Sequence, residues 1–213
     1  MGLKLGPYEL SWLGHASFLL KDGKVIYVDP YEIVSGPKAD IILITHDHFD
    51  HCSPEDISRL LKDSTKIVAP ASCRGKVLGG ELLEVRPGDR IELDDIKIEV
   101  VPAYNVRQER LRFHPKESGY VGYVLELPDG TRVYHAGDTD LIPEMRDLRV
   151  DIALVPVSGT YVMDASEAAE AVETIKPKVA VPMHYGAIVG SRADAERFRE
   201  LVRSCEVKIL EKE

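Results

Sequence analysis

The run Ile41-Ile42-Leu43-Ile44 passes without a break into Thr45-His46-Asp47-His48-Phe49-Asp50-His51. Three of the chain's seven histidines and two aspartates occupy the six residues from His46 to His51. Neither strand alternation nor a helical apolar face accounts for that composition. The apolar run predicts a buried strand, and its end would hold His46 and His48 while Asp50 and His51 turn back toward them. Imidazole nitrogen and carboxylate oxygen form a donor set suited to Zn, Mn or Fe(II). One short loop of this kind offers ligands to two adjacent ions. A solvated loop needs no such composition, and extra imidazoles kept only for core hydrogen bonds would be costly to bury.

His-x-His-x-Asp-His after an apolar strand resembles the signature of the metallo-β-lactamase superfamily. Trp12-Leu13-Gly14-His15-Ala16-Ser17 resembles the corresponding segment of its short, ascorbate-phosphate-lactonase-like branch. The resemblance implies a four-layer αββα sandwich, with two mixed β-sheets, helices on both outer faces, and one or two metals at the edge between the sheets.

The order of elements carries its own evidence of a duplicated half. Short strands are predicted over 8–12, 17–20, 25–28, 41–44 and 66–69, with two or three more between Glu81 and Val101. Ser53-Pro54-Glu55-Asp56 supplies a helix start, with a Ser cap, Pro in the first turn and early acids. In the second half, strands are predicted over 121–127, 132–135, 151–155 and 178–181. A helix starts at Asp164-Ala165-Ser166-Glu167, another spans Ser191 to Arg203, and a last strand runs from Val207 to Leu210. Asp22-Gly23 precedes Asp29 much as Asp129-Gly130 precedes Asp138, and Asp40-Ile41-Ile42-Leu43-Ile44 is matched by Asp151-Ile152-Ala153-Leu154-Val155. Landmarks in the same order at nearly constant offset point to a repeat rather than to hairpins alike by chance. At 213 residues and 44% hydrophobic content, with no linker in view, residues 1–213 read as a single domain.

The resemblance extends to the other ligands. It assigns Asp138, after a strand and beside Gly137, as the carboxylate bridging both metals, and His184 as the last metal histidine. Asp29 matches a position that supports the histidine loop by hydrogen bonding. At the third family motif the chain departs: a histidine is expected after the strand ending at Val101, and Ala103-Tyr104-Asn105 stands there. His114 looping back, Asn105 binding through its carbonyl, and a depleted first site remain as alternatives. His46, His48 and His114 would hold one metal and Asp50, His51 and His184 the other. Asp50 would also orient water and pass a proton to the leaving group. Asn105 would orient His114 or substrate, and His15 would approach the site unless it is a surface histidine. His135 is expected to point away, and Ser158 to Tyr161 either line the pocket or form a plain turn. Cys52 reads as a reduced structural thiol rather than a metal thiolate.

With the resemblance, these residues imply a hydrolase with two divalent metals, zinc first and manganese or iron next, acting with acidified water on a small, anionic ester, lactone or phosphodiester. The anionic expectation comes from Arg107, Arg110, Arg112 and Lys116, which outnumber Glu109 and Glu117 in the stretch 105–118 and suggest a mobile, substrate-selecting lid. A metallo-phosphodiesterase or nuclease, a mono-iron oxidoreductase and a non-enzymatic binding protein compete on the same fold. A net charge of −9 disfavours a broad nucleic-acid surface. The three cysteines are odd in number and widely spaced, and 1–7 lacks a long apolar stretch, so a reduced, cytoplasmic protein without a membrane anchor is expected. A homo-oligomer is compatible with the sequence. Asn105 is the only Asn and Gln108 the only Gln, a bias that fits a hot environment.

Overall fold

The structure is a computed structural model describing residues 2–213; Met1, which opens the N-terminal stretch read above, lies outside the described residues. The chain divides into two compact units, Met1–Val85 with Leu210–Glu213 and Arg86–Ile209. The first holds strands β1 (Leu3–Leu5), β2 (Tyr8–Gly14), β3 (Ser17–Asp22), β4 (Lys24–Val28), β5 (Ile41–Leu43), β6 (Lys66–Pro70) and β7 (Glu81–Val85), with helix α1 (Pro54–Leu60) between β5 and β6. Its strands lie in chain order in one sheet, antiparallel from β1 to β4 and parallel from β4 to β7. The C-terminal ends of β2, β4, β5, β6 and β7 therefore share one edge. β5 is buried throughout, the pattern of a parallel strand covered on both faces. Ile57 and Leu60 of α1 join Ile42, Ile44 and Ile67 in one apolar cluster. Ser53 caps α1 by accepting from the Asp56 amide, and Pro54 fills its first turn, as the sequence predicts.

The second unit holds β8 (Arg90–Leu93), β9 (Ile96–Pro102), β10 (Val121–Glu126), β11 (Arg132–His135), β12 (Ile152–Pro156), β13 (Val179–Met183) and β14 (Glu206–Val207). Helix α2 (Ala165–Ile175) precedes β13 and α3 (Arg192–Leu201) follows it. This sheet again runs in chain order, antiparallel from β8 to β11 and parallel from β11 to β14. The two sheets match strand for strand in order and direction, as a duplicated half requires, and with their helices they are the mixed sheets and helices of the αββα class. α2 carries a capping box between Asp164 and Glu167 and buries four alanines, Val172 and Ile175. α3 carries its own capping box between Ser191 and Asp194.

One strand was not predicted, and the last strand lies elsewhere than expected. β1 has three residues, too few for an alternation signal, and forms by pairing Leu3 with Leu10. The last strand covers Glu206–Val207 rather than 207–210; Leu210–Glu213 leave it for the first unit, where the Glu213 amide donates to Trp12 O at 3.0 Å. Among the described residues no helix is long and apolar enough to cross a membrane.

Candidate metal centre

Each unit places its histidines and aspartates just beyond the shared C-terminal edge of its sheet. In the first unit, His15 follows β2, Asp29 follows β4, and Thr45 to His51 follow β5. Asp29 is fully buried and has φ +45°, a left-handed backbone uncommon for a residue other than glycine. Its carboxylate accepts from the Thr45 amide at 2.8 Å, the Thr45 hydroxyl at 2.6 Å and His51 Nδ1 at 2.7 Å. The only proton of the Thr45 hydroxyl goes to Asp29, so the 2.9 Å contact between Thr45 Oγ1 and His46 Nδ1 is a bond donated by the imidazole. His46 and His51 thus both carry their proton on Nδ1, and the lone pair lies on Nε2. One aspartate sets two tautomers, as buried carboxylates behind metal-binding histidines do.

The loop folds back as expected, with the His51 and Cys52 amides both donating to His48 O at 3.1 and 2.8 Å. The His46 and His51 rings come within 4.0 Å, centroid to centroid. His46 Nε2 faces His48 Nδ1 at 3.1 Å. Asp50 Oδ2 lies 2.9 Å from His15 Nε2 and 3.7 Å from His51 Nε2. His15 is buried rather than superficial, with φ +50° and its carbonyl held by the Trp12 indole at 2.9 Å. Its ring belongs with Asp50 and His51, whose ligand atoms lie within 4.8 Å of its own. Asp47 is drawn off to Lys76 at 3.3 Å.

In the second unit, Gly122 of β10 lets the chain leave β11 closely, since a Cβ there would stand 2.7 Å from His135 O. Gly137, at φ +64°, then makes the turn into Asp138. His135 accepts from the Gly137 amide at 3.2 Å, which assigns it to shaping this turn. Asp138 Oδ2 faces His184 Nε2 at 3.0 Å and His114 Nε2 at 3.3 Å. Asn105 donates its amide nitrogen to Asp140 at 3.2 Å and to Tyr161 O at 3.0 Å, which leaves its oxygen to accept from His114 Nδ1 at 3.0 Å. Ser158 gives its proton to Thr160 O at 3.3 Å and accepts from His184 Nδ1 at 3.1 Å. Both histidines therefore turn an unprotonated Nε2 toward the same carboxylate oxygen. His184 has φ +62°, so this position is held against backbone preference.

The donor set fits divalent metal. Two ligand atoms bonded at 2.0–2.1 Å to one tetrahedral ion stand about 3.3 Å apart. The pairs His46–His48, His114–Asp138 and His184–Asp138 are separated by 3.1, 3.3 and 3.0 Å. Cys52 stays out of the donor set: it sits in the apolar cluster with Cys73, whose thiol is pushed up by its hydrogen bond to Cys52 and by burial.

In the stretch 105–118, read from the sequence as a lid, three of the four cations meet acids from later in the chain. The Asn105 amide donates to His114 O at 2.8 Å and closes the base of the stretch. Asp140 accepts from the Val106 and Arg107 amides at 2.8 and 2.9 Å and pairs with Arg110 at 3.0 Å. Arg110 and Arg107 both reach Glu167, at 2.8 and 2.6 Å, and Lys116 reaches Glu144 at 3.1 Å. Counting only the acids inside the loop hid these partners, because Asp140, Glu144 and Glu167 come from later in the chain. Thr45 and Asp140 went unassigned in the sequence, and Ser158 was read as pocket lining or turn rather than as a histidine's partner. The available signal was the repeat itself, since Thr45 and Ser158 are each the first hydroxyl residue beyond matched apolar strands.

The family comparison agrees with this geometry. A beta-lactamase superfamily domain matches residues 9–184. A UPF0173 metal-dependent hydrolase of Thermoplasma acidophilum is 36% identical over 209 residues, covering 91% of this chain and 90% of its own. One from Archaeoglobus fulgidus is 32% identical over 217 residues, covering 92% and 91%. Among solved structures, Igni18, a metallo hydrolase from Ignicoccus hospitalis, superposes with a TM-score of 0.78 at 26% identity, covering 96% of this chain and 95% of that one. A crystal structure from Parabacteroides distasonis reaches a TM-score of 0.86 at 37% identity, covering 97% and 94%. The chain belongs to the beta-lactamase superfamily and, within it, to the UPF0173 metal-dependent hydrolases.

Proposed function

We propose that the chain is a binuclear hydrolase of an ester, lactone or phosphodiester. His46, His48 and His114 hold one divalent ion, Asp50, His51 and His184 hold the other, and Asp138 serves both. The observation that carries this reading is Asp138 Oδ2, faced at 3.0 and 3.3 Å by two imidazole nitrogens whose opposite nitrogens are already engaged. An imidazole–carboxylate set without thiolate suits zinc, with manganese and iron(II) next. Ions held there would supply Lewis acidity toward the scissile carbonyl or phosphoryl oxygen and bring the ionisation of water near neutral pH. Asp29, Thr45, Asn105 and Ser158 fix the imidazole tautomers, so the nitrogens need no rearrangement before they bind. Asp50, steadied by His15, is positioned to take a proton from water and deliver it to the leaving group.

Elemental analysis after equilibration with zinc or manganese tests the reading, together with hydrolysis of generic lactones, esters and phosphodiesters. Two ions per chain and metal-dependent turnover are expected. One ion at saturation removes the binuclear claim, turnover that survives chelation removes the metal-dependent one, and no turnover of any of these substrates by the metal-loaded protein removes the hydrolytic one.

A further inference from the structure

The loops that carry the second unit's ligands also carry its exposed apolar side chains. Among the described residues of that unit, the exposed large hydrophobics are Val106, Leu111, Tyr161 and Ile188. Val106 and Leu111 lie between Asn105 and His114, Tyr161 lies three residues past Ser158, and Ile188 lies four past His184. The turns at the opposite end of the sheet, 94–95, 127–131 and 176–178, expose none among the described residues. Single exposed apolar residues are ordinary, but their gathering on one set of loops marks a binding surface.

Two rings give that surface a defined shape. Phe113 and Tyr161 pack at 4.5 Å between centroids and 61° between planes. Phe113 adjoins His114, and the carbonyl of Tyr161 accepts from the same Asn105 amide that orients His114. Arg112 lies over the Phe113 ring at 4.7 Å. Tyr161 has φ +71°, a conformation bulky side chains rarely adopt, and the Gly159 amide bonds Met163 O at 3.0 Å to close the loop around it. A strained aromatic fixed to a ligand's own support is a placed group. The loop's Arg107, Arg110 and Lys116, meanwhile, are engaged by Glu167, Asp140 and Glu144.

We infer that the Phe113–Tyr161 pair, with Val106 and Leu111 of the same loop as Phe113, receives an apolar acyl or aryl group of the substrate. The inference rests on the proposal that His114, Asp138 and His184 serve a hydrolytic centre. Substrate choice then follows the size of an apolar group, read by rings, rather than an anion read by the loop's guanidinium groups.

The test measures binding of acetohydroxamate and octanohydroxamate, which need not be turned over, to the metal-loaded protein by calorimetry. Each buried methylene is worth about fourfold in affinity, so partial burial of the longer chain puts the affinity ratio above about tenfold in the wild type. In Phe113→Ser/Tyr161→Asn, where Asn tolerates the left-handed backbone, the ratio falls below about threefold while metal content per chain stays at the wild-type value. Val106→Asp/Leu111→Asp, at exposed positions that leave the rings in place, lowers the ratio at least about threefold. A wild-type ratio near one, or a ratio unchanged in both variants, overturns the inference. Hydroxamate discrimination without any metal-dependent hydrolysis would overturn the hydrolase reading and leave the apolar subsite standing.

Discussion

The same position in the two halves of the repeat is used in opposite ways. Asp29 and Asp138 each follow the last antiparallel strand of a seven-stranded sheet, β4 in one and β11 in the other. Asp29 spends its carboxylate on protein donors: the Thr45 amide, the Thr45 hydroxyl and His51 Nδ1. Asp138 turns Oδ2 toward the Nε2 atoms of His114 and His184. The supporting work is also divided differently. In the first half one aspartate orients two histidines, directly for His51 and through Thr45 for His46. In the second half Asn105 and Ser158 each orient one. A duplicated sheet thus supplied two equivalent edges, one specialised to stiffen a dense ligand loop and the other to aim a carboxylate.

The largest effects separate the two aspartates. Asp138→Ala removes the carboxylate proposed to serve both ions, so metal content should fall to one ion or none and turnover by at least about a thousandfold, with a smaller loss of stability than Asp29→Ala causes. Asp29→Ala strands three buried donors, and chemical denaturation should show a loss of about 3–5 kcal/mol besides lost metal. Calorimetry, denaturation and elemental analysis on the two variants check this. If both variants unfold alike, the two carboxylates do the same job and the comparison is broken.

A smaller effect sharpens the comparison at the supporting residues. Asn105→Ala and Ser158→Ala should each weaken metal binding about 10–100-fold, because each frees one imidazole from its tautomer. Thr45→Val should fall at the lower end of that range, since His51 keeps its own bond to Asp29. Competition with a chromogenic chelator reads all three. A Thr45→Val loss as large as that of an Asp29 variant would mean the shared aspartate acts through His46 alone.

What the sequence showed follows the same division. The first ligand loop was legible because its histidines and aspartates are consecutive, and a strand end holds them with no long-range contact needed. That Asp138 and His184 stand as candidates was legible through the resemblance and through their places after strands, and the structure brings the two within 3.0 Å. The supporting bonds were not, because Asn105 meets His114, Asp140 and Tyr161 across loops separated by up to 56 residues. The ion pairs of the loop 105–118 escaped for the same reason: its arginines can be counted locally, but the partners of Arg107 and Arg110 come from α2 and from the turn after β11. β1 and the shortened β14 escaped because pairing, not composition, makes two- and three-residue strands.

The smallest expected effect concerns how the two ligand loops are anchored. In the first half the ion pair Lys76–Asp47 is partly exposed on both sides, so Asp47→Asn should cost under about 0.5 kcal/mol. In the second half Arg110 and Glu167 are 8% and 13% exposed in their side chains. Burial alone would raise the Glu167 carboxyl, yet bonds from Arg110 and the Asp164 amide, with Arg107 close by, hold it below the ordinary carboxylate value. A lowered folded-state pKa contributes stability above the unfolded value of about 4.3, and that contribution disappears as pH falls through the folded value. Glu167→Gln should therefore be less stable than wild type by about 1–2 kcal/mol at pH 7, and the gap should close below about pH 4. Urea unfolding at pH 7, 5 and 3.5 measures it. A gap that stays constant or widens toward acid would show that the Glu167 charge does not anchor the second loop, and that the two halves hold their ligands by the same weak means.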